Sequence, residues 1–257
     1  MQGVPRQCLW ARPILLYAKK SDALIWNPAG LKCLGQGQVQ VSYAKSFDEE
    51  VNYFLGSTFP LTKDINWAFA YILSEVSGII LTDASENVLN QNAAFRNQAL
   101  FLGSNYNFSE DLSFGASLAY IHKGFDNKLN DGFSLNIGTK YDFIPELSSA
   151  VTLKNINYPM VGPDRIRPSL VLGFDLKPFN HFLRFPIDIE MAEKRNSEIN
   201  LGIEFSPLYL FSLRAGLENL KELNLGMRLN LGDWMLDYAY SDQELGLLHR
   251  ITFTIDL

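Results

Sequence analysis

The sequence predicts an all-β protein, a closed antiparallel transmembrane β-barrel of about 14 strands. Three observations lead to this fold class. Apolar and small polar residues alternate with a period of two, tight turns separate the alternating runs, and no long helical pattern interrupts them. A strand that crosses a bilayer needs about 9–11 residues, whereas strands of globular proteins cluster near five or six. Because the runs are about ten residues long, they favour a membrane barrel over the alternative, a soluble β-sandwich or solenoid.

The strands follow one another along the chain after Gly37. They are predicted to begin near residues 38, 50, 65, 95, 111, 131, 147, 168, 183, 197, 208, 221, 233 and 246. In the run near residue 221, four apolar side chains alternate with polar or small ones: Leu223, Leu225, Met227 and Leu229 with Asn224, Gly226 and Arg228. The apolar side suits lipid, and the side with small polar residues suits a barrel lumen.

The connections between the strands are of two kinds. Those at 109–111, 144–146, 206–207 and 232–233 are tight, and those at 75–93, 157–167 and 241–245 are longer. Short turns at one end and longer loops at the other are typical of outer-membrane barrels. Within the longest connection, residues 84–93 are predicted to carry a short turn of helix. The last strand, with Ile251–Ile255, is predicted to pair with the first, Val39–Tyr43, and so close the barrel.

The composition excludes several functions. The chain has 257 residues and a formal net charge of −6, which argues against a broad nucleic-acid surface. Cys8 and Cys33 lack a second cysteine pair and nearby histidine ligands, so we expect no metal site. Two unrelated thiols are the favoured interpretation of these cysteines, and a disulfide between them is the alternative. No organic cofactor is implied.

No catalytic constellation is visible, so we expect a protein that is not an enzyme. The histidines, His122, His181 and His249, lie on different predicted strands without a nucleophile at a telling spacing. His122 and His249 are interpreted as residues near strand ends rather than as general bases. The motifs of serine hydrolases, zinc proteases and phosphate loops are absent.

Charged side chains fall on the lumen-facing side of six consecutive predicted strands. By alternation they are Asp188, Glu190, Glu204, Arg214, Arg228, Asp237 and Arg250. Opposite charges on neighbouring strands pair across a sheet, which predicts a belt of ion pairs on the lumen wall. The favoured interpretation is a structural belt that stiffens the wall, and the alternative is a polar ring along a ligand path.

A compact turn precedes the first strand. The stretch Asp22–Leu31 reads DALIWNPAGL, in which Pro28 fixes its own backbone and disfavours a helical Asn27. Gly30 permits a tight reversal, and Trp26 supplies a rigid apolar body. On these residues the chain resembles the N-terminal D-A-x-A-x-x-x-N-P-A-G-L segment of the FadL-like outer-membrane barrels. The segments FGASLAYIHKGFDN and GFSLNIGTKYDF, together with the strand spacing, most resemble the PorV/PorQ branch of that superfamily.

The resemblance implies that this turn folds into the barrel as a hatch. A fourteen-strand barrel is too wide for its own side chains to fill, so a plug is also expected on physical grounds. The hatch, or ligand path, then comprises Trp26, Asn27, Pro28, Ala29 and Gly30, and the alternative is an ordinary turn leading into strand 1. We divide the chain into a hatch segment at 1–36 and a barrel at 37–257. Residues 1–20 lack a clear signal peptide and differ from the family, which we interpret as a truncated or misplaced start.

Two functions follow from the resemblance. The first is passage of hydrophobic small molecules across the bacterial outer membrane. The second is a PorV-like role in type IX protein secretion or surface attachment, in which the loops at 75–93 and 157–167 dock secretion-system proteins. A soluble β protein of unknown role is the third hypothesis. The partners implied are outer-membrane lipid, a hydrophobic ligand and secretion proteins, and no nucleic acid.

Overall fold

The structure is a computed structural model that describes residues 21–31, 37–46, 50–82, 88–125, 128–179, 182–243 and 246–257. A short helix α1 (Ala23–Trp26) and a 3-10 turn (Pro28–Gly30) precede the strands. In the described ranges, no helix is long and apolar enough to cross a membrane. The first seven strands are β1 (Gln38–Lys45), β2 (Glu50–Pro60), β3 (Ile65–Thr82), β4 (Val88–Asn107), β5 (Leu112–Phe125), β6 (Lys128–Ile144) and β7 (Leu147–Lys154).

A small hairpin follows β7, and its two strands, β8 (Met160–Val161) and β9 (Asp164–Arg165), have two residues each. The remaining strands are β10 (Ser169–Leu176), β11 (Leu183–Ala192), β12 (Glu198–Leu208), β13 (Phe211–Glu218), β14 (Glu222–Leu231), β15 (Trp234–Gln243) and β16 (Gly246–Asp256). All strands except β8 and β9 belong to one closed antiparallel barrel, in which each strand pairs with its neighbours in sequence.

The barrel closes where its first and last strands meet. Val39 lies opposite Ile255 and Tyr43 lies opposite Ile251 in the β1–β16 ladder. The backbone N–H of Leu257 donates to the carbonyl of Gly37 at 2.8 Å. The predicted fold class is therefore confirmed, and an open sandwich with free sheet edges is excluded.

Most strand starts agree with the sequence-based prediction. The largest difference is β4, which begins at Val88 rather than near residue 95. The short helix predicted at 84–93 is wrong for residues 88–93, which belong to β4, while 84–87 lie outside the described residues. The polar run Asn90–Asn92 hides the period of two, and pairing with β3 imposes the strand nonetheless.

The outer surface of the barrel is apolar, as the alternation predicts. Leu223, Leu225 and Met227 are 41%, 44% and 42% exposed, although an ordinary soluble surface would be rich in charge at such positions. On the same strand, Asn224 and Gly226 lie on the inner face. This exterior suits the hydrocarbon interior of a bilayer.

The two ends of the barrel differ. The end that carries Gln38 and Leu257, here called the terminal end, has short turns such as Pro145–Glu146 between β6 and β7. The opposite end, the loop end, carries the longest connection, residues 155–168 with the small hairpin. The wall is also higher there on one side, because β3 and β4 have 18 and 20 residues whereas β1 has 8.

Candidate functional site

Residues Ser21–Leu31, here called the inner segment, lie inside the barrel. Asn27 has an extended backbone and its Oδ1 accepts a hydrogen bond from the Ala29 N–H at 3.0 Å, so it caps the turn Pro28–Gly30. The Gly30 N–H donates to the carbonyl of Asn27 at 2.8 Å. Asparagine before proline favours this geometry because the proline excludes helical backbone at the preceding residue.

Wall side chains bind the backbone of the inner segment. Ser117 of β5 donates to the Leu24 carbonyl at 2.8 Å, and Ser113 donates to the Ala29 carbonyl at 2.9 Å. In the opposite direction, Asn27 Nδ2 donates to the carbonyl of Thr139 on β6 at 3.2 Å. These bonds satisfy backbone groups that would otherwise be buried without a partner, which fixes the segment against this part of the wall.

Four glycines on the wall allow the inner segment to approach closely. They lie on four strands, β2, β4, β5 and β6: Gly56, Gly103, Gly115 and Gly138. A Cβ added at Gly115 would lie 2.2 Å from the Pro28 carbonyl carbon, and one added at Gly138 would lie 2.1 Å from Asn27 Oδ1. Gly115 and Gly138 are also direct partners across the β5–β6 ladder. These positions form a recess into which the inner segment fits.

Trp26 contacts wall strands next to those of the recess. It packs against Ala150 of β7 and Val171 of β10. The Nζ of Lys154 lies 4.6 Å from the centroid of the indole ring, within the range of a cation–π contact. The side chain is only half-buried, so Trp26 borders space that the inner segment does not fill.

A continuous apolar cluster joins the inner segment to the wall. Ala23, Leu24 and Leu31 are fully buried in it. Its other buried members come from the wall and from the 155–168 connection: Phe54, Ala68, Ala70, Phe101, Ala119, Ile121, Val161 and Ile166. The lumen therefore contains an apolar core, which a water-filled porin channel would lack.

The small hairpin covers this core from the loop end. Val161 is 1% exposed and Ile166 is 9% exposed. A Cβ added at Gly132 on β6 would lie 2.5 Å from the Met160 carbonyl oxygen, so the hairpin rests directly on the wall. The hairpin thus closes the loop-end side of the apolar cluster.

A cavity of about 1000 Å³ opens beneath the inner segment at the terminal end. Asn27, Ala29 and Gly30 form its roof. Its sides carry pairs of opposite charge, with Lys140 Nζ 2.7 Å from Asp142. The cavity therefore has charged groups among apolar side chains, in contrast to the wholly apolar cluster above it.

Ion pairs line the other side of the lumen. Arg214 lies 2.6 Å from Glu204 and 3.1 Å from Asp237, and Asp237 lies 2.6 Å from Arg228. The four residues occupy β12, β13, β15 and β14, and the contacts from Glu204 to Arg214, Asp237 and Arg228 alternate in charge. These are four of the seven charged residues that the sequence places on the inner wall.

The chain of alternating charges continues onto two further strands. Arg184 of β11 lies 3.6 Å from Glu204 and 2.5 Å from Asp175 of β10. Sequence reasoning missed Arg184 and Asp175, although both occupy inward positions of the alternation. Glu190 lies 3.8 Å from Lys154, and Asp188 and Arg250 are buried on the inner wall at 3% and 8% exposure.

The lumen therefore has two unlike halves. The inner segment contacts β1 to β7 and β10, whereas the six alternating charges lie on β10 to β15. A Cβ added at Gly226 would meet only wall atoms, the nearest being the Tyr238 carbonyl oxygen at 3.3 Å. The two strand sets overlap only at β10.

The two histidines that the structure describes lie away from this site. His122 lies on the outer face, with its Nδ1 2.6 Å from Asp131, and His249 lies on the outer face of β16. His181, Cys8 and Cys33 lie outside the described residues, as do residues 1–20 and 32–36 of the predicted hatch segment.

Comparisons with known proteins agree on the fold. Neither a family model nor a curated protein sequence matches the chain. Among solved structures, the CymD monoaromatic hydrocarbon channel is similar with a TM-score of 0.72 at 12% identity, covering 92% of this chain and 93% of that one. The Pseudomonas putida toluene transporter TodX has a TM-score of 0.65 at 13% identity, with 91% and 92% covered. A Pseudomonas aeruginosa FadL homologue has a TM-score of 0.64 at 10% identity, with 99% of both chains covered. The chain therefore has the fold of these channel proteins.

Proposed function

We propose that the protein is an outer-membrane barrel of the FadL-like superfamily that passes hydrophobic small molecules. The observation that carries the proposal is the apolar cluster inside the lumen, built jointly by the inner segment and the wall. An apolar solute gains free energy on leaving water for such a site, by about 25 cal/mol per Å² of apolar surface buried. The solved structures of similar fold include two that are named as hydrocarbon or toluene channels, which supports the same cargo class.

In this proposal the inner segment is the hatch. Trp26, Asn27, Pro28, Ala29 and Gly30 separate the apolar cluster from the cavity at the terminal end. A molecule in the cluster reaches that cavity only when the hatch leaves its recess. The ion pairs on the other half of the lumen serve as a belt that stiffens the wall, because six charges on six strands hold one another across the ladders.

The barrel orientation follows from its connections. Outer-membrane barrels have short periplasmic turns and longer external loops, so we assign the terminal end to the periplasm. Phe95 and Phe125, on the inner face of the high wall at the loop end, have ring centroids 6.2 Å apart. Phe125 is 37% exposed. This aromatic pair is suited to receive an apolar solute from outside before it enters the barrel.

Trp26 offers a direct test of the proposal. In a variant with Trp10, Trp67 and Trp234 replaced by Phe, we expect titrated toluene to change the fluorescence of Trp26. The same variant with Leu24→Asn, which places an amide in the apolar cluster, is expected to bind toluene more weakly.

Transport is tested in cells that lack their own hydrocarbon channel. Expression of the full chain in their outer membrane is expected to speed influx of labelled toluene, while influx of a hydrophilic sugar stays unchanged. Unchanged toluene influx with the barrel present and folded would contradict the proposal.

The secretion hypothesis rests on sequence resemblance to the PorV/PorQ branch alone. Its docking loops are partly engaged within the barrel, because Val161 and Ile166 of the 155–168 connection are buried in the lumen cluster. Of the other loop, 75–82 and 88–93 belong to β3 and β4. A PorV-like role stays a prediction, and copurification of secretion-system proteins with the full chain is its test.

A further inference from the structure

Two neighbouring basic side chains on the outer face of the barrel form no ion pair with another residue that the structure describes. Among the barrel-strand side chains that the structure describes, four basic ones point outward: Lys45, Arg96, His122 and His249. Arg96 pairs with Glu75 at 2.8 Å, and His122 pairs with Asp131 at 2.6 Å. Lys45 and His249 form no ion pair with any described residue, and they lie directly opposite each other in the β1–β16 ladder.

Tyrosines surround these two side chains. The Tyr238 hydroxyl lies 2.8 Å from His249 Nδ1, and the Tyr240 ring meets the imidazole edge to face at 5.5 Å. On the Lys45 side, the rings of Tyr43 and Tyr53 lie 5.5 Å apart. The site thus combines positive charge with hydroxyl donors, as do the amphipathic side chains that anchor membrane proteins at the headgroup level.

The outer surface next to this site, toward the terminal end, is apolar. Val41, Leu55 and Phe253 continue the same strands and are 49%, 44% and 37% exposed. Polar groups at the loop end therefore stand above an apolar surface. A lipid has the same order along its length, with a headgroup above acyl chains.

We propose that Lys45 and His249, with Tyr238 and Tyr240, bind the phosphate of a phosphorylated lipid headgroup in the loop-end leaflet. A lysine beside an apolar surface attracts an anion, and hydroxyl and imidazole groups donate to phosphate oxygens. The occupant is a lipid rather than free phosphate because its acyl chains cover Val41 and Phe253. The inference rests on the transmembrane placement of the barrel and not on its cargo, so toluene transport neither supports nor weakens it.

Binding of lipid A to the full chain in neutral detergent, measured by native mass spectrometry, tests the proposal. One basic group near a membrane surface contributes about a fivefold change in affinity for anionic lipid. We expect Lys45→Gln to weaken lipid A binding about fivefold and Lys45→Arg to retain it, and we expect His249→Gln to weaken binding by removing a ring N–H donor. Lys221→Gln removes an exposed lysine in a loop-end turn and is expected to leave the affinity unchanged.

Two further arms identify the ligand. Lipid A from which the phosphates have been removed is expected to bind the original chain and the Lys45→Gln variant equally well, because Lys45 then has no phosphate to bind. Inorganic phosphate is expected not to displace lipid A. The proposal is overturned if Lys45→Gln binds lipid A normally, if Lys221→Gln loses as much affinity, or if inorganic phosphate competes. Because both side chains point away from the barrel interior, these variants are expected to fold, and heat-dependent migration of the folded barrel on gels checks this.

Discussion

Gly115→Ala is expected to expel the inner segment from its recess. The added Cβ would lie 2.2 Å from the Pro28 carbonyl carbon and 2.3 Å from the Ala29 nitrogen, although ordinary contacts begin at 3.4 Å. Both atoms are backbone, so no side-chain rotation relieves the clash and the segment must move by more than an ångström. Overpacking of this kind costs about 1–3 kcal/mol.

Gly226→Ala is the matched control for this substitution. It also replaces a lumen-facing glycine in a barrel strand, but its Cβ would lie 3.3 Å from the Tyr238 carbonyl and touch no atom of the inner segment. We expect a loss below about 1 kcal/mol, since one contact must yield by only a few tenths of an ångström.

Urea unfolding in phospholipid vesicles measures both losses, and planar bilayers report whether the lumen opens. Gly115→Ala is expected to raise single-channel conductance, whereas Gly226→Ala is not. Deleting residues 19–30 removes the clashing atoms, so in that background the cost of Gly115→Ala is expected to vanish. An equal cost with and without residues 19–30 would refute the reasoning, because the penalty would then arise within the wall.

Three other outcomes follow from the structure. Leu225→Arg is expected to lower the free energy of unfolding in liposomes by about 2–4 kcal/mol if the residue lies near the bilayer midplane. Asn224→Arg, on the lumen side, is expected to lower it less, and equal losses would contradict the assignment of faces. Deletion of residues 19–30 alone is expected to raise single-channel conductance, because a lumen of this width fills with water; unchanged conductance would argue against a plug. Arg184→Met is expected to destabilise by about 1–3 kcal/mol, since Asp175 loses its partner at 2.5 Å but keeps Lys177 at 3.4 Å. An unchanged free energy of unfolding in the same assay would show that the Arg184–Asp175 pair is dispensable.

The barrel could be predicted from sequence because a period of two encodes both faces of a strand. The alternation around Leu225 needs no tertiary information, and the strand length sets the class. The start of β4 could not be predicted as well, since a polar run at the strand end lacks an apolar face. Long strands that leave the membrane lose the lipid-facing signal and are recognised only from their pairing.

The position of the inner segment depends on information that the sequence does not display. The residues Asn27–Gly30 indicate a tight turn. A glycine in a strand, however, can mark a bulge, a bend or a close approach of another segment, and the sequence does not distinguish these. Only the register, which places Gly115 beside Gly138, shows that small residues of separate strands form one recess. In the same way, alternation places Arg184 and Asp175 on the inner face, but only the register between β10 and β11 shows that they are partners.

The ladder between β1 and β16 has a consequence for how the barrel folds. Every other barrel ladder joins strands that follow closely in sequence, whereas this one brings Gln38 opposite Asp256. Loop-closure entropy makes contacts between distant residues slow to form, so we expect the other hairpins to assemble first and this ladder last. Until this ladder forms, the curved sheet has two edges with unpaired backbone N–H and C=O groups. Such groups are costly in the hydrocarbon interior of a membrane, so we expect the edges to stay outside it. The rate of insertion is then limited by the meeting of two strands rather than by the formation of any one of them.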